Sequence, residues 1–91
     1  MQVKYHQKFD RDISKIRQQS VADEVAKQIT EVKKCKTFID FVRLPNVTKL
    51  VGHDDFYRIK FGDYRIGVKV VDNFVCFSRF GTRSKIYKIF P

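Results

Sequence analysis

The chain has 91 residues, of which 43% are hydrophobic, and it carries a formal net charge of +9 at pH 7. This length allows one small domain with a single core, and the apolar content excludes an intrinsically disordered chain. Two cysteines outside any CxxC pair and two histidines leave no zinc-binding spacing, so we expect neither a metal nor a cofactor. A strongly basic chain is typical of proteins that bind nucleic acid, an anionic surface or an acidic protein.

The sequence predicts a cytoplasmic protein. Lys4, Lys8 and Asp10 interrupt the N-terminus, where a signal peptide would need an apolar run. The apolar stretches are all shorter than a transmembrane helix. Cys35 and Cys76 are interpreted as free thiols in a reducing compartment, where they act as small core residues.

The first elements in chain order are a predicted strand and a predicted helix. Residues 2–7 alternate weakly between apolar and polar side chains, which is typical of a short strand. Phe9, Ile13 and Ile16 follow the spacing of one helix face, and this spacing predicts a helix over 9–18.

A second helix follows almost at once. Ser20 is a suitable N-cap for it, and an apolar stripe continues to about residue 36. So short a connection predicts an antiparallel hairpin of two helices. Residues 37–42 fit a helix or a strand equally well, and the Pro45-Asn46 pair predicts a loop over 45–54.

From Phe56 onwards the apolar period changes to two, which predicts three strands joined by tight turns. The turns are placed at Gly62-Asp63 and Asp72-Asn73, and the third strand covers 74–80. That strand is apolar on both faces, so the pattern does not assign its inward face. Residues 84–91 are expected to be a short tail. The order of strand, helix hairpin and antiparallel meander predicts an α+β domain over 1–91, with the helices on one face of the sheet.

Most of the positive charge lies in this second half. Between residue 56 and the C-terminus, eight lysines or arginines face only two aspartates, which gives a net charge of +6. Burial of unpaired cations is costly. The face that carries them is therefore expected to point away from the helices; its strand residues are Arg58, Lys60, Arg65 and Lys69.

The order and spacing of several short motifs resemble the RelE/ParE superfamily of bacterial toxins over nearly the whole chain. These motifs are Leu50-Val51-Gly52, Tyr57-Arg58-Ile59-Lys60, Gly62-Asp63-Tyr64-Arg65 and Gly81-x-Arg83-x-x-x-Tyr87. RelE-type members are ribosome-dependent endoribonucleases that cut mRNA and are silenced by an antitoxin. ParE-type members share the fold but poison DNA gyrase, and they generally lack the catalytic basic residues. The resemblance thus implies a bacterial toxin with an antitoxin, the ribosome and mRNA as partners.

By this resemblance, the catalytic residues of the RelE type correspond to Arg58, Lys60, Arg65, Arg83 and Tyr87. The chain departs from the family pattern in three ways. It has arginine at position 58, where the best-known members have lysine; its hairpin turn is short; and it ends soon after Tyr87, without the C-terminal helix of some members. Further RNA contacts are expected from Lys49, Lys69, Arg79 and Lys85.

The residue types suit RNA cleavage by a 2′-hydroxyl, which needs a base, an acid and positive charge on the phosphorane. Arginine binds phosphate with two parallel hydrogen bonds, and such preorganised charge is usually the largest catalytic contribution. Lys60 is the candidate base, because an ammonium among other cations can lose its proton whereas a guanidinium cannot. Tyr87 offers a ring on which a base could stack.

Simpler interpretations of the same residues stay open at this point. Arg58 and Lys60 could protect a strand edge from aggregation, Arg65 could pair with Asp63 or Asp72, and Tyr87 could be an ordinary aromatic at the edge of the core. His53 has a suitable intrinsic pKa for proton transfer but is more typical of a solvated loop. Asp54 and Asp55 would face opposite ways in a strand and do not form an acid–base or metal pair. A gyrase poison and a non-catalytic RNA- or ribosome-binding module are the competing functions.

Overall fold

The computed structural model describes all residues 1–91 and has one five-stranded sheet at its centre. The strands are β1 (Gln2–Tyr5), β2 (Val47–Lys49), β3 (Phe56–Phe61), β4 (Tyr64–Val71) and β5 (Phe74–Thr82). Their order is β1-β5-β4-β3-β2, with β1 parallel to β5 and the other neighbours antiparallel. The predicted meander is therefore the middle of the sheet, and the α+β prediction is confirmed.

Three of the four helices cover one face of this sheet. They are α1 (Gln7–Ser14), α2 (Gln19–Lys34) and α3 (Phe38–Val42), and they form a core of 13 buried residues with the inward side chains of the strands. Tyr57 and Ile59 of β3 and Ile66, Val68 and Val70 of β4 all lie in this core, as the alternation predicted. No helix is both long and apolar enough to cross a membrane.

The N-terminal boundaries differ from the predictions by a few residues. The helix predicted over 9–18 begins at Gln7, because His6 caps it by accepting a hydrogen bond from the Lys8 amide. Ser20 is not the N-cap of α2. That position belongs to Gln18, whose side chain makes no capping hydrogen bond.

The ambiguous segment and part of the predicted loop have regular structure. Residues 38–42 form α3, which begins with a capping box in which the Thr37 hydroxyl and the Asp40 carboxylate bind each other's backbone amides. The loop predicted over 45–54 is wrong at Val47–Lys49, which pairs with β3 as the edge strand β2. Three residues are too few to show a period of two in the sequence.

A bulge in β5 explains why its inward face was unassignable. Gly67 pairs with Arg79 but its neighbour Val68 pairs with Phe77, so Ser78 is an extra residue in the ladder. Phe77 and Phe80, three residues apart, consequently both point into the helix-side core, where they are 0% and 5% exposed. Both cysteines are free; Cys35 is buried and Cys76 is partly exposed.

The fourth helix, α4 (Arg83–Ile89), replaces the predicted tail and lies on the opposite face of the sheet. Thr82 caps it by accepting a hydrogen bond from the Lys85 amide. Its buried residue Ile86 joins Phe90 and Leu50 in a small second cluster, separate from the main core. The expectation that the chain lacks a C-terminal helix is therefore wrong, and the sheet is covered on both faces.

Candidate active site

Helix α4 places Tyr87 above the basic face of β3 and β4. The Arg58 guanidinium carbon lies 4.2 Å from the centre of the Tyr87 ring, and that of Arg83 lies 5.5 Å from it. Tyr87 is 47% exposed, so one part of the ring carries the stacked arginines while the rest faces solvent. The helix thus holds Tyr87 in place, which the sequence left open.

Arg58 is fixed by this stacking and not by an ion pair. Its side chain is half-buried in the middle of β3, and its Nε is buried without a hydrogen-bond partner in the protein. A guanidinium over an aromatic face is stabilised by the ring quadrupole. The charge of Arg58 therefore stays available for an anion at the edge of Tyr87.

Arg65 is buried, contrary to the expectation of an exposed cation. Its exposed fraction is 8%, and its Nη1 donates to the carbonyls of Gly62 at 2.9 Å and Tyr64 at 2.8 Å. Both acceptors belong to the β3–β4 turn, so the turn fixes the plane of the guanidinium. The alternative in which Arg65 pairs with Asp63 or Asp72 is wrong, since its partners are backbone carbonyls.

Arg83 is held beside the same turn through its backbone. Its amide donates to the carbonyl of Asp63 at 2.8 Å, which ties the first residue of α4 to the β3–β4 turn. Its side chain is exposed. The turn therefore positions Arg65 directly and Arg83 through the start of α4, next to Tyr87.

Lys60 lies on the same face, at the exposed end of β3. It stands directly opposite Arg65 in the strand register and two residues from Arg58 along β3. Its backbone is fixed on the other side by Asn46, whose carbonyl accepts from the Lys60 amide at 2.9 Å. The five residues predicted as catalytic are therefore brought to one surface by β3, β4 and α4.

None of these four cations has a carboxylate partner. The three ion pairs in the structure are Lys34–Glu31, Lys49–Asp54 and Arg79–Asp12, and all of them lie elsewhere. We call Arg58, Lys60, Arg65, Arg83 and Tyr87 the Tyr87 cluster. Its excess of unpaired positive charge makes it suited to a polyanion.

The arginines also act on the phenol group of the cluster. The pKa of Tyr87 is below its ordinary value, chiefly through the polar interaction of Arg83 with the phenol oxygen. Partial desolvation opposes this effect, whereas the charges of Arg83 and Arg58 and an interaction with Arg65 add to it. A lowered pKa makes the phenol a better proton donor near neutral pH.

The four residues predicted as additional RNA contacts do not form one group. Lys69 lies on the basic face, 5.6 Å from the Phe56 ring, but towards the other end of β4. Lys49 of edge strand β2 is 3.8 Å from the Asp54 carboxylate, in an exposed pair. Lys85 of α4 packs its stem where a side chain on Gly81 would be, at the end of β5.

Arg79 is not a free RNA contact. Its Nε and Nη2 donate to the two carboxylate oxygens of Asp12 at 2.8 and 3.1 Å, and Asp12 also accepts from the Phe80 amide at 2.9 Å. Burial raises the pKa of Asp12, but the hydrogen bonds from Arg79 and Phe80 outweigh it and lower the pKa overall. This pair fastens α1 to the β5 bulge, and its role is structural.

Sequence reasoning missed Asp12 and Gly67, although both decide how the site is supported. Asp12 stands three residues after Phe9 on the inward face of α1, but an aspartate is rarely buried without a partner, and only the structure brings Arg79 to it.

His53 is exposed and lies edge-on to Phe56, with ring centres 6.3 Å apart. Asp54 is likewise exposed and is paired with Lys49.

Comparison with known proteins gives the same architecture. A curated relative, Toxin RelE3 of Methanocaldococcus jannaschii, is 39% identical over 46 residues, which are 50% of this chain and 52% of that protein. The chain thus spans about half the length of the curated relative that it matches. The RelB–RelE antitoxin–toxin complex from Methanococcus jannaschii superimposes with a TM-score of 0.77 at 25% identity, covering 97% of this chain and 99% of that one.

A second solved structure, the intact E. coli RelBE toxin–antitoxin complex, has a TM-score of 0.68 at 22% identity, over 89% of this chain and 94% of that one. At this identity the likeness concerns the fold. The family model described as the ParE toxin of type II toxin–antitoxin systems matches residues 3–87, which is nearly the whole chain. The chain therefore belongs to the ParE toxin family of type II toxin–antitoxin systems, within the RelE/ParE superfamily.

Proposed function

We propose that this protein is a toxin of the RelE type, an endoribonuclease that cleaves mRNA on the ribosome. The observation that carries the proposal is the Tyr87 cluster itself. Arg58 and Arg83 stack on the Tyr87 ring, Lys60 and Arg65 stand opposite each other on the same face, and none of the four has an acidic partner. A phosphodiester that becomes a dianionic phosphorane needs this arrangement of charge. A protein-binding surface alone would not require a buried arginine to be fixed by the backbone carbonyls of a turn.

The phosphate is assigned to the arginines. Arg65 has its Nη1 engaged by the Gly62 and Tyr64 carbonyls, which leaves its other N–H donors for phosphate oxygens. Because the turn already fixes the guanidinium plane, little conformational entropy is lost when the phosphate binds. Arg83 and Arg58, which stack on the Tyr87 ring, supply the remaining positive charge.

Proton transfer is assigned to Lys60 and Tyr87. Lys60 in its neutral form accepts the proton of the 2′-hydroxyl, whose oxygen then attacks the adjacent phosphorus. The bond from phosphorus to the 5′-oxygen breaks, and Tyr87, with its lowered pKa, donates a proton to the leaving oxygen. The products are a 2′,3′-cyclic phosphate and a 5′-hydroxyl end, and no metal ion is needed.

The partners follow from the same proposal. The substrate is mRNA positioned on the ribosome, and the basic surface meets the phosphates of both RNAs. The two solved complexes hold a RelE toxin together with its RelB antitoxin, and by similarity we infer a cognate antitoxin for this chain. The toxin then works in the cytoplasm, where translated messages are.

A gyrase poison is the second candidate, because the matching family model is that of ParE toxins. Induction in cells followed by mapping of mRNA 5′ ends separates the two functions. Cuts confined to translated messages are expected, and they should vanish in Arg83→Ala but persist in Arg11→Ala, an exposed arginine of α1 outside the cluster. Intact mRNA together with a DNA-damage response would instead establish gyrase as the target.

A further inference from the structure

Asn46, the residue before β2, makes three hydrogen bonds that reach both Lys60 and helix α2. Its backbone carbonyl accepts from the Lys60 amide at 2.9 Å. Its side-chain Nδ2 donates to the Lys60 carbonyl at 3.1 Å and to Oε1 of Gln28 in α2 at 2.7 Å. Both polar groups of the Lys60 backbone are therefore held by one residue, which lies outside the Tyr87 cluster.

The side chain of Asn46 completes a strand pairing that the backbone leaves unfinished. Val47 pairs with Ile59, and this register places Asn46 opposite Lys60. In a regular hydrogen-bonded antiparallel pair, the backbone amide of Asn46 would donate to the Lys60 carbonyl. That bond is absent, because β2 begins only at Val47. The Nδ2 group takes its place, so the pairing on this side of β3 continues one residue further, to Lys60.

Gln28 fixes which way the Asn46 amide group faces. It stands between Val25 and Val32 on the buried stripe of α2, and both Gln28 and Asn46 are half-buried. A polar side chain in such a place needs a partner, and its Oε1 accepts one hydrogen of Asn46 Nδ2. The second hydrogen then meets the Lys60 carbonyl, because the Asn46 oxygen cannot bond to a carbonyl. We call Gln28 and Asn46 the Lys60 clamp.

The Lys60 clamp determines where the Lys60 side chain starts. Lys60 is exposed and stands one residue before the end of β3, where the pairing gives way to the β3–β4 turn. Chain segments at such ends open most easily, and a lysine side chain has many rotamers. Bonds to both of its backbone groups fix the direction of the Cα–Cβ bond. The ammonium group is thereby kept on the basic face, opposite Arg65.

We propose that Asn46 and Gln28 are positioning residues that hold Lys60 within reach of the reacting 2′-hydroxyl. Gln28 belongs to the helix layer on the opposite face of the sheet from Tyr87, so it acts through Asn46 and the Lys60 backbone. The inference rests on the proposed function, in which Lys60 accepts that proton, and it adds two residues that no sequence motif indicates. Misplacement of a catalytic group by about 1 Å can cost about 10²-fold in rate.

Single-turnover cleavage on programmed ribosomes tests the Lys60 clamp. Asn46→Ala and Gln28→Ala should each lower the maximal rate by about tenfold or more, while the ribosome concentration that gives half of it stays near the wild-type value. Gln28→Glu should restore most of the rate, because its carboxylate still accepts from Asn46. The control is Gln19→Ala, which removes an exposed hydrogen bond to Asp23 from the same helix and should change neither quantity.

A second measurement separates positioning from loss of stability. In a Lys60→Ala background, Asn46→Ala should reduce the residual cleavage no further, because the side chain that it positions is gone. Destabilisation alone would lower the rate by the same factor with or without Lys60, and that result would overturn the proposal. A rate unaffected by Asn46→Ala would also overturn it, as would a Gln28→Glu variant as slow as Gln28→Ala.

The position of Lys60 can also be followed without nuclease activity, by NMR of the free protein. In Asn46→Ala the carbonyl carbon of Lys60 should shift because it loses a hydrogen bond, and the Lys60 Cε signal should move with it. Gln19→Ala should leave both signals in place. A Cε signal identical to that of the wild type would contradict the proposal. Failure of the nuclease proposal is recognised separately, because the wild type then leaves RNA uncut while the Lys60 signals still respond to Asn46→Ala.

Discussion

Gly67 of β4 and the ring of Phe90 fit together so closely that no larger residue can occupy position 67 without displacement. A Cβ added to Gly67 would lie 2.6 Å from two carbons of the Phe90 ring. Phe90 in turn packs edge-on against Phe56, with centres 5.5 Å apart, and shares a buried cluster with Ile86 of α4. Because Gly67 has no side chain, Phe90 can pack against β4, and this contact holds α4 and Tyr87 on the basic face.

Gly67→Ala is expected to displace α4 while the 13-residue core on the other face stays folded. Overpacking of this kind costs about 1–3 kcal/mol, and Tyr87 would lose its contact with the arginines. Spectroscopic titration of the phenol should therefore show its pKa return towards the ordinary value, together with loss of RNA cleavage. Gly81→Ala is the control, since its nearest contact is the flexible Lys85 stem at 3.1 Å. An unchanged Tyr87 titration in Gly67→Ala would contradict the role assigned to Phe90.

Asp12→Ala should destabilise the protein far more than its single charge suggests. It leaves the half-buried Arg79 without its two hydrogen bonds and the buried Phe80 amide without an acceptor. Breaking a buried pair costs about 3 kcal/mol, to be measured by denaturant unfolding. Glu31→Ala, which removes an exposed pair with Lys34, is the comparison and should cost under about 0.5 kcal/mol.

The same loss of stability should vary with pH only in the acid range. The pKa of Asp12 in the folded protein is lowered, so its stabilisation is complete above the unfolded pKa of about 3.9 and is lost as the pH falls through the lower folded value. The difference in unfolding free energy between wild type and Asp12→Ala should stay constant from neutral pH to about pH 4 and shrink below it. A difference that shrinks between neutrality and about pH 5 would mean that another group carries it.

The sequence predicts those elements of the fold that depend on interactions between residues close together in the chain. β3 and β4 follow from alternation, because every second residue packs into the main core. β5 does not, because the extra Ser78 shifts its inward residues by one. Arg65 and Arg79 look alike in the sequence, yet one is held by its own turn and the other by Asp12, 67 residues away.

The helix α4 was unpredictable for a related reason. The helix has only seven residues. Its two buried apolar residues, Ile86 within it and Phe90 just after it, are too few to reveal an amphipathic pattern. Their burial depends on Gly67, and a glycine in a strand can equally mark a bulge or a bend. The residues proposed as catalytic were predicted through family resemblance, whereas their mutual arrangement around Tyr87 required the structure.

Arg65→Ala and Arg83→Ala should both abolish toxicity but differ in stability. Loss of one preorganised donor costs about 10²–10³ in rate. The exposed Arg83 side chain bonds to no backbone group, so its removal should leave the melting temperature unchanged. Removal of Arg65 takes two hydrogen bonds from the β3–β4 turn and should cost about 1–3 kcal/mol. Full growth arrest by either variant at equal expression would remove that arginine from the proposed site.

Tyr87→Phe separates the ring from the phenol. Phenylalanine keeps a ring over Arg58, 4.2 Å away in the wild type, but it has no proton to donate. If Tyr87 is the acid, single-turnover cleavage should fall about 10²-fold or more while binding to programmed ribosomes is retained. Cleavage at the wild-type rate would show that the ring contributes by stacking alone.

Lys60→Arg tests the identity of the base. The substitution keeps the positive charge opposite Arg65 but removes a group that can lose its proton, because a guanidinium stays protonated. Cleavage on programmed ribosomes should therefore fall severely, by about 10²–10⁴, while ribosome binding stays near normal. The matched exchange is Arg58→Lys, which leaves a cation over the Tyr87 ring and should reduce cleavage only mildly. Rates are to be measured in single turnover across a range of pH, with binding measured separately. If Lys60→Arg cleaves like the wild type with the same pH profile, Lys60 is an electrostatic contact, and His53 becomes the first residue to test as the base.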